Sequence, residues 1–190
     1  MAVATPGDDP FDLDFTNLFS AKTKVAEPVP TPKMQNQLTE EAVIGESALT
    51  NNGYFVRIND AAPKRKPKRK PVAVMVVEDY EATLALLERI LVANGFMVIK
   101  ATNRAEILLG LKTSPDLAIL DVMMPDANGF DILNRIRQHV ILKDLPVLML
   151  TSLGSLEDIL KGLKLGANGY LTKPAKSKAL LEAIKNVLAD

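Results

Sequence analysis

Residues 115–130 read PDLAILDVMMPDANGF, and this stretch decides the fold. It opens with an apolar run, LAIL, between Pro115 and Pro125. A short apolar run between such breakers favours a buried strand over a helix. Asp121 closes the run, and an ionised carboxylate at the end of a buried strand is costly unless a cation or the mouth of a cleft compensates it. The next question is therefore which groups elsewhere in the sequence face Asp121.

The composition excludes several classes of protein. The chain has 190 residues with 23 basic and 23 acidic side chains, so its overall charge indicates no particular partner. It has no cysteine, which excludes disulfides, thiolate nucleophiles and cysteine-based zinc sites. No apolar run approaches the roughly 20 residues of a membrane span, and the acidic, proline-broken start is unlike a secretory signal. We expect a soluble, cytoplasmic protein.

Residues 1–71, the N-terminal extension, differ from the rest of the chain. They hold eight of the twelve prolines and show no sustained period, which predicts a mostly disordered tail. Residues 8–20, DDPFDLDFTNLFS, hold half of the six phenylalanines. If helical, they place the phenylalanines on one face and Asp12 and Asp14 on the other. This pattern is typical of an acidic amphipathic motif that folds into a partner's groove; a functionless tail, or packing on the chain's own domain, is the alternative.

Two later segments of the extension also stand out. Thr39 could cap a short helix through Leu49, and residues 51–53 are a turn signal before Tyr54–Val56. The piece at residues 39–58 is too short to hold a core alone, so docking on the main domain or on a partner is open. Residues 63–71, PKRKPKRKP, form a basic, stiff linker. This linker could also attract nucleic acid, anionic lipid, an acidic partner or the acidic residues 8–14 of the same chain. A nuclear-import signal is a further alternative. No aromatic residue interleaves with Lys64–Lys70 to stack on bases, which disfavours specific nucleic-acid binding.

From Val72 the pattern becomes a strict alternation of strand and helix. Five apolar strands and five helices follow in residues 72–190, with start signals at Asn103 and Ser155 and a stop signal at Asn94-Gly95. Strands so apolar need both faces covered. The prediction is an α/β domain, a doubly wound (βα)5 parallel sheet with the strand order 2-1-3-4-5 and its switch point between strands 1 and 3.

Polar residues close these strands. Glu78 and Asp79 follow strand 1 and Asp121 closes strand 3, so their carboxylates meet at the switch point and repel one another unless a cation lies among them. With no cysteine and no nearby histidine, oxygen ligands favour Mg²⁺. Thr151 ends strand 4 and Lys173 follows strand 5. A carboxylate, a hydroxyl and an ammonium group around Mg²⁺ predict a phosphoryl site with Asp121 as acceptor.

The domain at 72–190 resembles the receiver domain of two-component response regulators, which has a flavodoxin-like fold. The resemblance covers none of the extension and depends on residues that recur at the strand ends, in order: Glu78-Asp79, Asp121 with Met124-Pro125 and Gly129, Thr151, Tyr170, and Lys173-Pro174. It implies that Asp121 accepts a phosphoryl group from a histidine kinase or a histidine phosphotransfer protein. It also implies that Mg²⁺ is held by Asp79, Asp121 and the carbonyl of Met123, with Glu78 acting through water.

The resemblance further implies a switch. Lys173 pairs with the phosphoryl oxygens, and the Lys173–Pro174 bond is expected to be cis. On phosphorylation Thr151 moves to the phosphoryl group, Tyr170 turns inward, and the face of the fourth helix, fifth strand and fifth helix of the domain changes its binding to a downstream partner. The extension is a second route to that partner.

Other readings stay open. Gly169 stands where relatives that dimerise through this face often carry an acidic residue, which disfavours that dimer. A receiver-like scaffold that binds constitutively is one alternative, although Asp79, Asp121 and Lys173 argue against it. A hydrolase with Asp121 as nucleophile lacks a general acid, because Met123 stands two residues on. Nucleic-acid or anion binding through Lys64–Lys70 is the remaining alternative. We expect no enzyme activity beyond phosphotransfer to Asp121 itself.

Overall fold

The computed structural model describes residues 31–57, 66–68, 70–125, 127–152 and 155–188. Its strands are β1 Tyr54–Val56, β2 Ala73–Val77, β3 Met97–Ala101, β4 Leu117–Asp121, β5 Val147–Thr151 and β6 Gly169–Thr172. They form one sheet in the order β1-β6-β5-β4-β2-β3. Strands β2 to β6 are parallel, whereas β1 pairs antiparallel with β6 at the edge. The predicted order 2-1-3-4-5 is confirmed for the five parallel strands, and β1 is an addition to it.

Helices cover both faces of the sheet, which is why β2, β4 and β5 are buried along their whole length. The helices are α1 Pro32–Asn52, α2 Glu81–Ala93, α3 Arg104–Lys112, α4 Gly129–Gln138, α5 Leu156–Lys164 and α6 Ser177–Val187. One apolar core holds residues of α1, α3, α4 and α5. The other holds residues of α2 and α6. Within the described ranges, no helix combines the length and the apolarity that crossing a bilayer needs.

The predicted helix signals are confirmed where the structure describes them. The side chain of Asn103 accepts the N–H of Glu106 at the start of α3, and the hydroxyl of Ser155 accepts the N–H of Asp158 at the start of α5. Each bond satisfies a backbone donor that the first helical turn leaves free. Asn94 ends α2, and Gly95 follows with a positive φ of 81°, the conformation that glycine adopts without strain.

Residues 32–56 form α1 and β1, so the prediction of a mostly disordered extension is wrong for them, whereas the predicted short helix through Leu49 is confirmed as part of α1. Helix α1 is longer than predicted, and its cap is Thr31, whose hydroxyl accepts the N–H of Met34. Thr39 lies inside the helix and donates its hydroxyl to the carbonyl of Gln35. Residues 51 and 52 belong to the helix, and Gly53 alone makes the turn. Residues 8–20 lie outside the described residues, and the division of the chain at residue 72 stays a prediction.

Part of the basic linker contacts the domain through its backbone. Asp116, which is 1% exposed, accepts the backbone N–H of Lys68 at 2.7 Å and that of Ala73 at 2.9 Å. One buried carboxylate thus fixes the linker next to the first residue of β2, because its two oxygens satisfy donors on both sides of residues 69–72.

Candidate functional site

The three predicted carboxylates meet at the carboxyl edge of the sheet. Glu78 and Asp79 follow β2, Asp121 ends β4, and these strands are neighbours. Strand β3 lies on the other side of β2, so this is the switch point at which open α/β sheets bind ligands. One oxygen from each of Glu78, Asp79 and Asp121 lies within 4.8 Å of the other two. The structure therefore assembles the acidic cluster that the strand ends predicted.

Lys173, which follows β6, bridges two of these carboxylates. Its Nζ lies 2.7 Å from Oε2 of Glu78 and 2.8 Å from Oδ2 of Asp121. Glu78 is 0% and Asp121 2% exposed, so the ammonium group neutralises charge that water does not reach. Burial raises the pKa of Glu78 above its ordinary 4.5, although the hydrogen bond from Lys173 opposes this. Burial alone would lower the pKa of Lys173, but its bonds to Asp121 and Glu78 outweigh burial and raise it.

The loop after β4 holds Asp121 through its main chain. The N–H of Met123 donates to Oδ1 of Asp121 at 3.2 Å. The side chain of Met123 is 77% exposed, so the backbone of this residue, and not its thioether, contacts Asp121. A Cβ at Gly129 would overlap the carbonyl oxygen of Asp121. Position 129 must therefore be glycine for α4 to begin this close to the acidic cluster.

The donor set fits a hard divalent cation. Oε2 of Glu78 and Oδ2 of Asp121 are buried and accept no hydrogen bond of good geometry from the described chain, and the ammonium of Lys173 is their charged neighbour. Asp79 is exposed and adds a third carboxylate at the mouth of the cluster. Buried carboxylate oxygens that accept no hydrogen bond, beside an exposed carboxylate that leaves room for water, suit Mg²⁺, which retains several of its waters when it binds proteins.

Thr151 and Lys173, the predicted contacts of the phosphoryl group besides Asp121, lie on neighbouring strand ends. Thr151 ends β5 and is 5% exposed. Its carbonyl accepts the N–H of Lys173 at 2.7 Å, which ties the end of β5 to the end of β6. The Lys173–Pro174 bond is cis, as predicted. Thr151 and Lys173 are therefore held in fixed register beside Asp121.

Tyr170 in β6 lies inward beneath α5. It is 0% exposed, and its hydroxyl donates to the carbonyl of Asp158 at 2.8 Å. Burial raises the pKa of this hydroxyl. A Cβ at Gly162 would overlap the hydroxyl oxygen of Tyr170, so the inward position exists because residue 162 has no side chain. The movement of Tyr170 on phosphorylation stays a prediction.

Gly162→Ala is expected to destabilise the fold although it lies inside a helix. Alanine is ordinarily about 1 kcal/mol better than glycine there, but the methyl group would occupy the place of the Tyr170 hydroxyl, so we expect a loss of about 1–3 kcal/mol. Urea unfolding measures it. Tyr170→Phe should reduce the loss, because it removes the overlapping oxygen.

The same variant should change the titration of Tyr170. With the ring forced outward, its phenolate should form at lower pH, nearer the ordinary value of about 10. In the wild type the raised pKa means that the neutral hydroxyl contributes stability, which is lost as the pH rises through the folded-state pKa. The ultraviolet absorbance of the phenolate, recorded against pH, measures this titration in the wild type and in Gly162→Ala. A more stable Gly162→Ala variant with an unchanged titration would contradict the proposed overlap.

The extension covers part of the surface that was predicted to bind a downstream partner. We call this surface, formed by α5, β6 and α6, the output face. Helix α1 packs against α5, while β1 pairs with β6 and contacts α6. The N–H and hydroxyl of Thr172 both donate to the carbonyl of Gly53, at 3.0 Å and 3.2 Å. The turn of the extension therefore contacts the residue that directly precedes Lys173.

Gly169 allows this arrangement. A Cβ at that position would overlap the carbonyl oxygen of Phe55 in β1. The glycine that disfavoured a dimer through this face is thus the residue that admits the chain's own β1. A buried ion pair between Arg57 and Glu41, at 3.5 Å, joins the end of β1 to α1 and was not foreseen. Its only sequence signal is a basic residue that directly follows an apolar strand.

Comparisons with known proteins agree with this geometry. The sequence profile of the family described as response regulator receiver domain matches residues 74–185. The chain is 40% identical over 116 residues to the transcriptional regulatory protein CusR of Escherichia coli K12. It is 39% identical over 116 residues to the probable transcriptional regulator ycf27 of Pyropia yezoensis. Both matches cover 60% of this chain. They cover 50% of CusR and 46% of ycf27, so the chain spans about half the length of these relatives.

Solved structures give the same result. A response regulator structure from Chloroflexus aurantiacus aligns with a TM-score of 0.60 and 36% identity, over 64% of this chain and 100% of its own. The chemotaxis protein CheY4 of Vibrio cholerae aligns with a TM-score of 0.59 and 31% identity, over 62% of this chain and 98% of its own. The family profile covers more than half of the chain, and the relatives share both its fold and its sequence. The chain therefore belongs to the response regulator receiver domain family.

Proposed function

We propose that the protein is a phosphorylation-controlled signalling switch in which Asp121 accepts a phosphoryl group. The observation that carries this proposal is the placement of Asp121, a buried carboxylate whose Oδ2 lies 2.8 Å from the ammonium of Lys173. In the transfer, the phosphorus–nitrogen bond of a phosphohistidine breaks and a phosphorus–oxygen bond to the Asp121 carboxylate forms. Lys173 donates to the negative oxygens of the transferred group, and the hydroxyl of Thr151 is the second donor.

Mg²⁺ would be held by Asp79, Asp121 and the carbonyl of Met123, with Glu78 acting through water. Its contribution would be to neutralise the negative charge that accumulates during phosphoryl transfer. The donor is proposed to be a cytoplasmic histidine kinase domain or a histidine phosphotransfer protein. The receiver domain family matches residues 74–185, so we propose that the chain receives the signal, and we propose no enzymatic turnover beyond this transfer.

The output is proposed to run through the extension. Because α1 and β1 occupy the output face, a partner can bind that face fully only if they move. Thr172 links the turn at Gly53 to Lys173 through the two bonds described above. A shift of Lys173 toward a phosphoryl group would therefore strain the bonds that hold the extension. The extension thus has two states, docked and undocked, and the negative charge added by phosphorylation shifts the equilibrium toward the undocked state.

Incubation with Mg²⁺ and acetyl phosphate tests the proposal. We expect the intact mass of the wild type to increase by one phosphoryl group, and no increase for Asp121→Asn or after chelation of the metal. Asp131→Asn, which changes a carboxylate in the first turn of α4, is the matched control. An unmodified wild type that also fails with phosphorylated histidine phosphotransfer proteins, or modification that persists in Asp121→Asn, would reject the assignment.

A further inference from the structure

A basic groove lies at the edge of the sheet opposite Asp121. It has a volume of about 930 Å³. Its floor is apolar and consists of Val72, Phe96, Leu181, Ile184 and Leu188. Four lysines surround this floor, namely Lys66, Lys68, Lys70 and Lys185. Of the described residues that line the groove, none is acidic. A groove of this kind fits a ligand with an apolar side and several negative charges.

The groove is part of the fold and not a chance gap beside a loose linker. Asp116 accepts the backbone N–H of Lys68 at 2.7 Å and is itself 1% exposed. This bond fixes Lys68, and Lys66 and Lys70 lie two residues to either side of it, while Lys185 comes from the last turn of α6. Four lysines that line one groove give it a positive potential, which favours an acidic ligand.

We propose that this groove binds residues 8–20 of the same chain, DDPFDLDFTNLFS. The segment holds four aspartates, at positions 8, 9, 12 and 14, and five large apolar residues, at positions 11, 13, 15, 18 and 19. In a helix Phe11, Phe15, Leu18 and Phe19 share one face, which would lie on the groove floor, while Leu13 falls on the opposite side. The carboxylates would face the lysines around it. The segment thus offers one negative charge for each of the four lysines and one continuous apolar stripe for the floor.

The chain can make this connection. Strand β1 runs toward the amino edge of the sheet, because Tyr54 pairs with Leu171 and Val56 with Gly169, the first residue of β6. Glu41, near the middle of α1, contacts Arg57, which follows β1. The first turns of α1, which begin at Pro32, therefore also lie at the amino edge of the sheet. The groove also lies at the amino edge, since Val72 precedes β2 and Phe96 precedes β3. Four strand spacings separate β1 from β2, about 19 Å in all, and residues 21–30 can span about 33 Å when extended.

Binding at this edge leaves the phosphoryl site accessible, because Asp121 lies at the carboxyl edge. Its consequence is that the acidic aromatic segment and the basic linker neutralise each other and are both withheld from other partners. The inference does not depend on the proposed phosphorylation. Asp121→Asn should leave the groove occupied, so failure of one idea is distinguishable from failure of the other.

A spin label on the full-length chain tests the inference. The chain has no cysteine, so Asn17→Cys accepts a single nitroxide without background labelling. We expect the label to broaden the amide resonances of Phe96, Leu181 and Lys185, and reduction of the nitroxide to restore them. Lys68→Glu with Lys185→Glu should abolish the broadening, and raised salt should weaken it, because the charges at the groove are partly screened. Asp12→Lys with Asp14→Lys should restore the broadening in the charge-reversed protein.

Controls separate this result from mere proximity. Lys176→Glu with Lys178→Glu makes the same change in net charge at the far end of α6 and should leave the broadening intact. No broadening of the groove resonances in the wild type would overturn the proposal. Broadening that survives both the lysine reversal and replacement of Phe11, Phe15 and Phe19 by alanine would overturn it too. Equal broadening of isotope-labelled chains by a second, spin-labelled chain would assign the groove to the segment of another copy and reject the intramolecular contact.

Discussion

Lys173→Met is expected to destabilise the protein by about 3–5 kcal/mol in the absence of divalent metal. The substitution leaves Glu78 and Asp121, which are 0% and 2% exposed, as buried carboxylates without their cation. Chemical denaturation in a chelating buffer measures the loss. Mg²⁺ should restore more stability to the variant than to the wild type, because in the variant the metal no longer competes with an ammonium group for the same carboxylates.

Two further variants separate stability from function. Glu78→Gln in the Lys173→Met background removes one buried charge and should recover much of the lost stability. It should not recover phosphoryl uptake, because Lys173 still supplies no donor to the phosphoryl oxygens. Lys178→Met, an exposed lysine on α6, is the control for the loss of a lysine. A Lys173→Met variant as stable as the control in chelator would show that the two carboxylates do not depend on this ion pair.

The parallel sheet and its acidic cluster could be predicted because both follow from local signals. Each strand is a short apolar run, and Glu78, Asp121, Thr151 and Lys173 come where those runs end. Parallel strands place their carboxyl ends at one edge, so residues far apart in sequence converge without any knowledge of side-chain packing. The distances within the cluster needed the structure, because they depend on how far each side chain reaches.

The docked extension could not be predicted because its signals are weak and non-local. Helix α1 is mostly polar and buries five residues, while β1 has three residues and depends on pairing with β6. The decisive features are two glycines, Gly45 and Gly169, at which a Cβ would contact or overlap Phe55. Their role is invisible until Phe55 is placed. The sequence did contain the true start of α1, since Thr31-Pro32 is a common cap and first-turn pair.

Arg137 is a second residue whose role is set by tertiary structure. It lies near the end of α4, next to other polar residues. Its guanidinium donates to the carbonyls of Gly166, Lys143 and Leu145 and to the side chain of Asn168. Burial lowers its pKa to about 10. No periodicity identifies such a residue, because its acceptors come from two separate loops, the one before β5 and the one before β6.

Phe55→Ala is expected to release the extension without unfolding the sheet. The ring is 3% exposed and belongs to the core that α1 shares with α5, so its removal should cost about 3–5 kcal/mol. That cost falls on one edge of the fold, where β1 contacts β6. Amide exchange should therefore accelerate in α1 and β1 while β4 stays protected. Met34→Ala, a side chain on α1 that is 48% exposed, is the matched control, and an equal loss of protection in β4 would contradict local release.

Release of the extension should also strengthen binding at the phosphoryl site. If phosphorylation weakens docking through Thr172 and Lys173, then by linkage the undocked protein must bind a phosphoryl group or its mimic more tightly by the same factor, typically about 5–150-fold. Beryllium fluoride, which binds carboxylates reversibly as a phosphoryl mimic, allows this affinity to be measured at equilibrium for the wild type and for Phe55→Ala. We expect the variant to bind more tightly and Met34→Ala to match the wild type. Equal or weaker binding by Phe55→Ala would mean that docking and phosphorylation are uncoupled, or that phosphorylation holds the extension in place, and the output would then have to run through another surface.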